Sequence, residues 1–184
     1  MGRLVLQMGV SIDGFVAAAD GSHPWGEGRE DPAQNRWKLD SVTRAGAYLM
    51  GRVTYQEMAA HWPTSSDEYA APMNEIPKVV FSKTLESADW GPARVARGDL
   101  GEEIAQLKRE TGNHLIAYGG ATFAPALSRA GLVDEYRLVT QPAALGSGLP
   151  MFSDQPAPLL LELVEAHTYP TGTAIHVYRP RRAA

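Results

Sequence analysis

Leu4, Leu6, Met8 and Val10 alternate along the start of the chain, and Val5 adds an apolar residue on the opposite face. That pattern predicts a strand buried largely on both faces, closed by the turn signal Ser11-Ile12-Asp13-Gly14. A helical stretch follows from about Pro32 to Arg44, and proline suits its first turn. Ala45 to Met50 is a second short strand, and Thr54 begins another helix with Tyr55, Met58 and Ala59 at helical spacing. His61 to Pro77, with its three prolines, reads as a loop holding at most one turn of helix. Lys78 to Ser82 is a short buried strand. Gly101 to Thr111 is a helix with Glu102 and Glu103 in its first turn, where acids complement the dipole. His114 to Tyr118 is the next strand, and Gly119-Gly120 turns into a helix from Thr122 to Ala130, capped by Gly131.

From Val133 the pattern changes. Glu135 to Thr140, Leu159 to Thr168 and Thr173 to Arg179 are strand-like, and no long helix fits between them. The last two are joined by Tyr169-Pro170-Thr171-Gly172, a hairpin-type turn. Strand–helix alternation with an antiparallel finish predicts an α/β fold, a mixed and mainly parallel sheet with helices on both faces.

Composition narrows the function. The 184 residues fit one domain spanning 1–184 and can bury a core without staples. The chain has no cysteine, so thiolate catalysis and Cys-ligated metals are excluded. The five histidines show no metal-ligand spacing, and no metal is expected. A net charge of −4 provides no basic footprint for nucleic acid. The basic tail from Arg179 to Arg182 reads as a solvated end. With no signal-peptide core and no membrane-length apolar run, the expected location is the cytoplasm and no membrane partner is expected.

Three turns share one design: a short apolar strand, then small or hydroxyl residues, then a helix. They are Met50-Gly51-Arg52-Val53-Thr54, Phe81-Ser82-Lys83-Thr84 and Tyr118-Gly119-Gly120-Ala121-Thr122. In an open α/β sheet, ligands bind beyond the carboxyl ends of the strands, where helix N-termini direct amides at anions. Gly119-Gly120 would admit a pyrophosphate that a Cβ would block. Thr54 and Thr122 could cap helices and donate hydroxyls to phosphate. Arg52, Ser82 and Lys83 add two cations and a hydroxyl, which a 2′-phosphate needs and NADH does not.

On these residues the chain resembles the dihydrofolate reductase-like fold, in particular the reductase domain of bacterial riboflavin biosynthesis. The resemblance runs through Ser11-Ile12-Asp13-Gly14-Phe15-Val16-Ala17, the three turns, Gly131 to Glu135, and Leu145-Gly146-Ser147-Gly148 before Phe152. It implies an NADPH-dependent reductase that transfers a hydride to a small pterin-, pyrimidine- or similar heterocycle-like substrate. In that reading Gly51, Arg52 and Thr54 hold the phosphates of NADPH, and Ser82 and Lys83 sit near the adenosine ribose. Gly119, Gly120, Ala121 and Thr122 wrap the pyrophosphate, while Val16 and Ala17 offer backbone groups to the nicotinamide. Asp134 and Glu135 read as structural. The chain departs from its relatives in carrying Tyr118, not glutamate, before the glycine pair, and in lacking a carboxylate early in the first helix after Pro24-Trp25.

Hydride transfer requires a proton for the neighbouring heteroatom, from an acid or from water. Asp40 is the first candidate acid and Asp13 the second. Phe15, Trp25 and Tyr118 are the expected substrate contacts, and Trp37 could extend a flat stacking wall. The alternative is a nucleotide- or flavin-binding protein of the same fold without turnover. Leu159, Leu160, Leu161, Leu163 and Val164 make the penultimate strand too apolar for a one-sided edge, which predicts a homodimer.

Overall fold

The computed structural model describes residues 2–25 and 31–181. Ten strands and five α-helices follow one another: β1 (Leu4–Ser11), β2 (Phe15–Ala17), α1 (Pro32–Thr43), β3 (Ala45–Gly51), α2 (Arg52–His61), α3 (Ala70–Glu75), β4 (Lys78–Phe81), β5 (Ala93–Ala96), α4 (Leu100–Glu110), β6 (His114–Tyr118), α5 (Phe123–Arg129), β7 (Glu135–Gln141), β8 (Leu149–Pro150), β9 (Leu161–Thr168) and β10 (Ala174–Pro180). Eight of the strands form one sheet in the order β5-β4-β3-β6-β1-β7-β10-β9. From β5 to β7 every pairing is parallel; β10 runs antiparallel to β7, and β9 in turn runs antiparallel to β10. This is the mainly parallel sheet with an antiparallel C-terminal hairpin that the pattern predicts.

The period of two in the strands explains the two layers. Leu4, Leu6, Met8 and Val10 of β1 point to one face, where Leu49, Leu115 and Ala117 join Ile104, Leu107 and Leu127 of α4 and α5. Tyr48, Met50, Val80 and Ile116 point to the other, against Val42 of α1, Tyr55 of α2 and Met73 of α3. Both helix layers exclude water from apolar side chains, so each strand reads as a nearly continuous apolar run.

Two carboxylates anchor β1 and β7. Asp134 Oδ2 accepts from the Leu4 amide at 2.7 Å and pairs with Lys108 at 2.5 Å. Glu135 has a side chain only 3% exposed yet receives Arg3, Arg137 and Arg179. Burial would raise its pKa, but the hydrogen bonds from Arg137 and Arg179 outweigh it and hold the carboxyl below its ordinary range. Both residues are structural, as the sequence suggests.

Several elements differ from the sequence reading. The 61–77 segment holds a 3-10 turn, Trp62–Thr64, and the six-residue α3, more helix than its prolines suggest. Proline in the first positions of a helical turn loses no hydrogen bond, which reconciles the two. β5 is absent from the sequence reading because four residues, half of them alanine, carry almost no periodic signal. β2 and β8 were equally unreadable, since they pair with each other across 132 residues of chain. Arg182, the last of the basic tail, lies outside the described residues. Among the described residues no helix is long and apolar enough to cross a membrane.

Candidate functional site

Parallel pairing brings the carboxyl ends of β5, β4, β3, β6, β1 and β7 to one edge of the sheet. The three glycine- and hydroxyl-bearing turns follow β4, β3 and β6, which are neighbours in the sheet. They therefore stand side by side. The rings of Phe81 and Phe123 stack at 5.1 Å, tying the turn after β4 to that after β6. A Cβ on Gly120 would meet the Thr54 hydroxyl at 3.2 Å and Phe123 at 3.4 Å, so the turns after β3 and β6 are in contact.

Gly119 and Gly120 have φ of +84° and +90°, which a residue with a side chain rarely adopts. Both are half-buried and pack against Thr54, with Gly120 also against Phe123. The peptide leading into the pair is held by the Tyr48 hydroxyl, which donates to the Tyr118 carbonyl at 2.5 Å. Tyr118 stands edge-on to Tyr48, and burial pushes its phenol pKa up, so it keeps its proton at neutral pH.

At α2 the capping expectation is corrected. Gly51 is the N-cap and no side chain caps the helix; Thr54 lies inside the first turn, where its hydroxyl faces Gly120 instead. Thr122 does occupy the N-cap of α5, but its hydroxyl makes no capping bond. The amides at the start of α2 thus have no side-chain partner, and no acidic residue sits in that turn to oppose an anion. Arg52 is exposed there, donating to Gln56 at 3.1 Å. Ala121 lies half-buried in the β6 turn.

Ser82 accepts from the amides of Thr84 and Leu85, at 3.2 and 2.9 Å, and so shapes its own turn. Lys83 reaches sideways to the carbonyls of Arg97 and Gly98. Arg97 returns the contact, donating to Leu85 at 2.6 Å and to Glu86 at 3.2 Å. Arg97 sits at the carboxyl end of β5 and is the cation the sequence reading missed. Its signal was present: Ala93 to Ala96, then Arg97-Gly98, then Asp99 capping α4, is a fourth strand–turn–helix of the same design. Among the described residues, Arg52, Lys83 and Arg97 form no ion pair with a carboxylate.

Val16 and Ala17 lie in β2, buried beyond the end of β1, and Phe15 is half-buried opposite Pro150. Gly148 could carry no side chain, because a Cβ there would lie 2.3 Å from the Ala17 carbonyl. Trp25 is half-buried with its ring edge-on to His23. Trp37 belongs elsewhere: it packs on the Arg137 guanidinium and beside His167.

The two carboxylates proposed as acids do not meet that role. Asp40 lies one turn from the C-terminal end of α1 and pairs with Arg44 at 3.2 Å on the surface. The chain then enters β3 at its amino end, so Asp40 is at the edge of the sheet opposite the turns. Seven extended residues, about 20 Å, separate the two edges. Asp13 is at the correct edge but is engaged. It takes the Ser11 hydroxyl at 2.6 Å and the amides of Leu145 and Gly146, and these bonds hold its pKa at about 2. A carboxylate so stabilised is an acceptor at neutral pH, not an acid.

Comparison with known proteins agrees with this geometry. YyaP of Bacillus subtilis, described as an uncharacterized protein, is 29% identical over 96% of this chain and 94% of its own length. RibD of Acinetobacter baumannii superposes with a TM-score of 0.73 at 16% identity, covering 99% of this chain and 59% of that one. Dihydrofolate reductase of Enterococcus faecalis, solved with NADP(H) bound, superposes with a TM-score of 0.66 at 13% identity, over 98% of this chain and 97% of that one. The fold is dihydrofolate reductase-like, and the family model described as the RibD C-terminal domain matches residues 3–175. The chain belongs to the RibD C-terminal domain family.

Proposed function

We propose that this protein is an NADPH-dependent oxidoreductase that reduces a small cyclic, heterocycle-like substrate. The observation that carries the reading is the meeting of three turns at one sheet edge, with a glycine pair and two arginines nearby. The residues fit the cofactor, since Gly119 and Gly120 turn at φ of +84° and +90° and the first amides of α2 have no side-chain partner. The amides of α2 and of the β6 turn would hold the pyrophosphate, with Gly51, Thr54, Ala121 and Thr122 lining it. Arg52 and Arg97 would face the 2′-phosphate, with Ser82 shaping the turn and Lys83 holding the Arg97 loop in place. Val16 and Ala17 would meet the nicotinamide. When bound, NADPH supplies the hydride. Phe15, Trp25 and Tyr118 would orient the ring that receives it, and Tyr118 offers a phenol that stays protonated. With Asp13 ionised and Asp40 remote, the proton comes from water.

That neither Asp13 nor Asp40 is placed as an acid favours a second reading, a nucleotide- or flavin-binding protein without turnover. Calorimetry with NADPH and NADH tests the first: micromolar NADPH binding, weakened about tenfold or more in Arg97→Ala with NADH unaffected, is expected. No NADPH binding overturns it. NADPH consumption with any member of a pterin and pyrimidine panel disposes of the second reading.

The same reading makes 1–184 one domain, acting in the cytoplasm where the nucleotide pool lies. A homodimer follows from β9, which is at the sheet edge with Leu163 and Val164 exposed by 53% and 45% and Leu160, just before it, by 62%.

A further inference from the structure

Gln7 sits at the centre of β1 with no exposed surface, and neither its amide nitrogen nor its oxygen has a partner among the described residues. Its side chain lies on the α1 face of the sheet, because the residues before and after it, Leu6 and Met8, pack on the other. Tyr118 and Arg137 flank it in register. Neither satisfies it. The Tyr118 carbonyl takes the Tyr48 hydroxyl, and Arg137 is committed to Glu135 and Ser41. Leaving a primary amide unpaired in a dry interior is costly, and a leucine of similar size would avoid the cost.

Two further observations give the amide a destination. Among the described residues, nothing lies within 4 Å of where a Cβ on Gly9, the next residue of β1 on the same face, would be, and Gly9 is only half-buried. Among the described residues, the sheet therefore leaves a hollow beside Gln7, on the side of the cofactor turns. The second observation is Gln34, in the first turn of α1, 3% exposed and with its Oε1 unpaired among the described residues. Ser41 of the same helix touches Arg137. Gln34 is two turns, about 10 Å, nearer the carboxyl edge. That distance sets it level with the Gln7–Gly9 stretch along the sheet.

We propose that Gln7 and Gln34 read the edge of the substrate ring, a pair of neutral amides selecting a neutral planar ring with adjacent N–H and C=O groups. This rests on the reductase reading and names the ligand edge that reading leaves open. An amide offers one donor and one acceptor side by side, which is the complement of a lactam edge and a poor match for a protonated amidine. Rotation of the Gln7 side chain brings its amide to the hollow over Gly9. The stability lost to an orphaned amide in the free protein is recovered when the ring supplies its partners.

The test titrates uracil and 2,4-diaminopyrimidine, which share a ring and differ at its edge, into wild-type protein and into Gln7→Leu and Gln7→Glu. Binding is followed by ligand-observed NMR with NADPH present and absent. Wild type is expected to prefer uracil. Gln7→Leu should bind uracil about tenfold more weakly with its melting temperature unchanged or raised, and Gln7→Glu should reverse the preference. The proposal is overturned if Gln7→Leu gains stability and binds uracil as wild type does, for the amide is then a packing defect alone. It is equally overturned if wild type binds neither ring. Loss of NADPH binding in wild type sinks the cofactor reading by itself, and the NADPH-free titration then still decides the glutamines.

Discussion

The Tyr48 hydroxyl donates to the Tyr118 carbonyl at 2.5 Å, and through that bond β3 fixes the peptide from which the Gly119-Gly120 turn departs. Tyr48 is fully buried, so no water can replace the donor. Tyr48→Phe leaves that carbonyl unsatisfied at a cost of about 1–2 kcal/mol. The expected outcome is a lower urea midpoint and weaker NADPH binding, both from one missing oxygen. Unchanged cofactor affinity would separate the glycine turn from this tether.

Asp13 ties the β1–β2 turn to the segment after β7 by accepting the Leu145 and Gly146 amides. Its pKa falls from 3.8 to about 2, so the folded state prefers the ionised form. The stability this contributes is present above pH 4 and is lost as pH falls through 2. Asp13→Ala should erase that part of the acid transition. It should also speed proteolytic nicking near Gly146 at neutral pH, read by mass spectrometry of the fragments.

Lys78 is 1% exposed, donates to the Asn74 carbonyl at 2.8 Å and lies 4.3 Å over the Trp90 ring. Burial lowers its pKa from 10.5 to about 8. The unfolded chain then binds more protons between those values, and stability rises with pH across that window. Lys78→Met should flatten the rise, a difference on the order of 2 kcal/mol between pH 8 and pH 10. Urea denaturation of both proteins at the two pH values measures it.

Leu163 is 53% exposed on the edge strand β9, which has β10 on one side and no strand on the other. Leu163→Lys should convert a dimer to a monomer in light scattering without lowering the monomer's melting temperature. A wild-type chain that is already monomeric at high micromolar concentration removes the dimer.

Some of the molecule was legible residue by residue. Apolar runs marked β1, β3, β4 and β6, and Gly119-Gly120 announced a turn that side chains disfavour. These are local signals, in which φ preference and the period of two act over a few bonds. The candidate site was half-legible for the same reason: the turns could be named, and their small residues pointed to phosphate.

Tertiary structure alone decided the rest. Periodicity tells which face a residue occupies but not which strand lies beside it, so the placing of β6 between β3 and β1 could not be read. That order makes the turns neighbours. It also sends Asp40 to the far edge and turns Lys83 toward the loop after β5. Gln7 carries the difference most plainly. The sequence shows a polar residue interrupting an apolar strand, and only the tertiary packing leaves its amide sealed and, among the described residues, unpaired and beside a hollow.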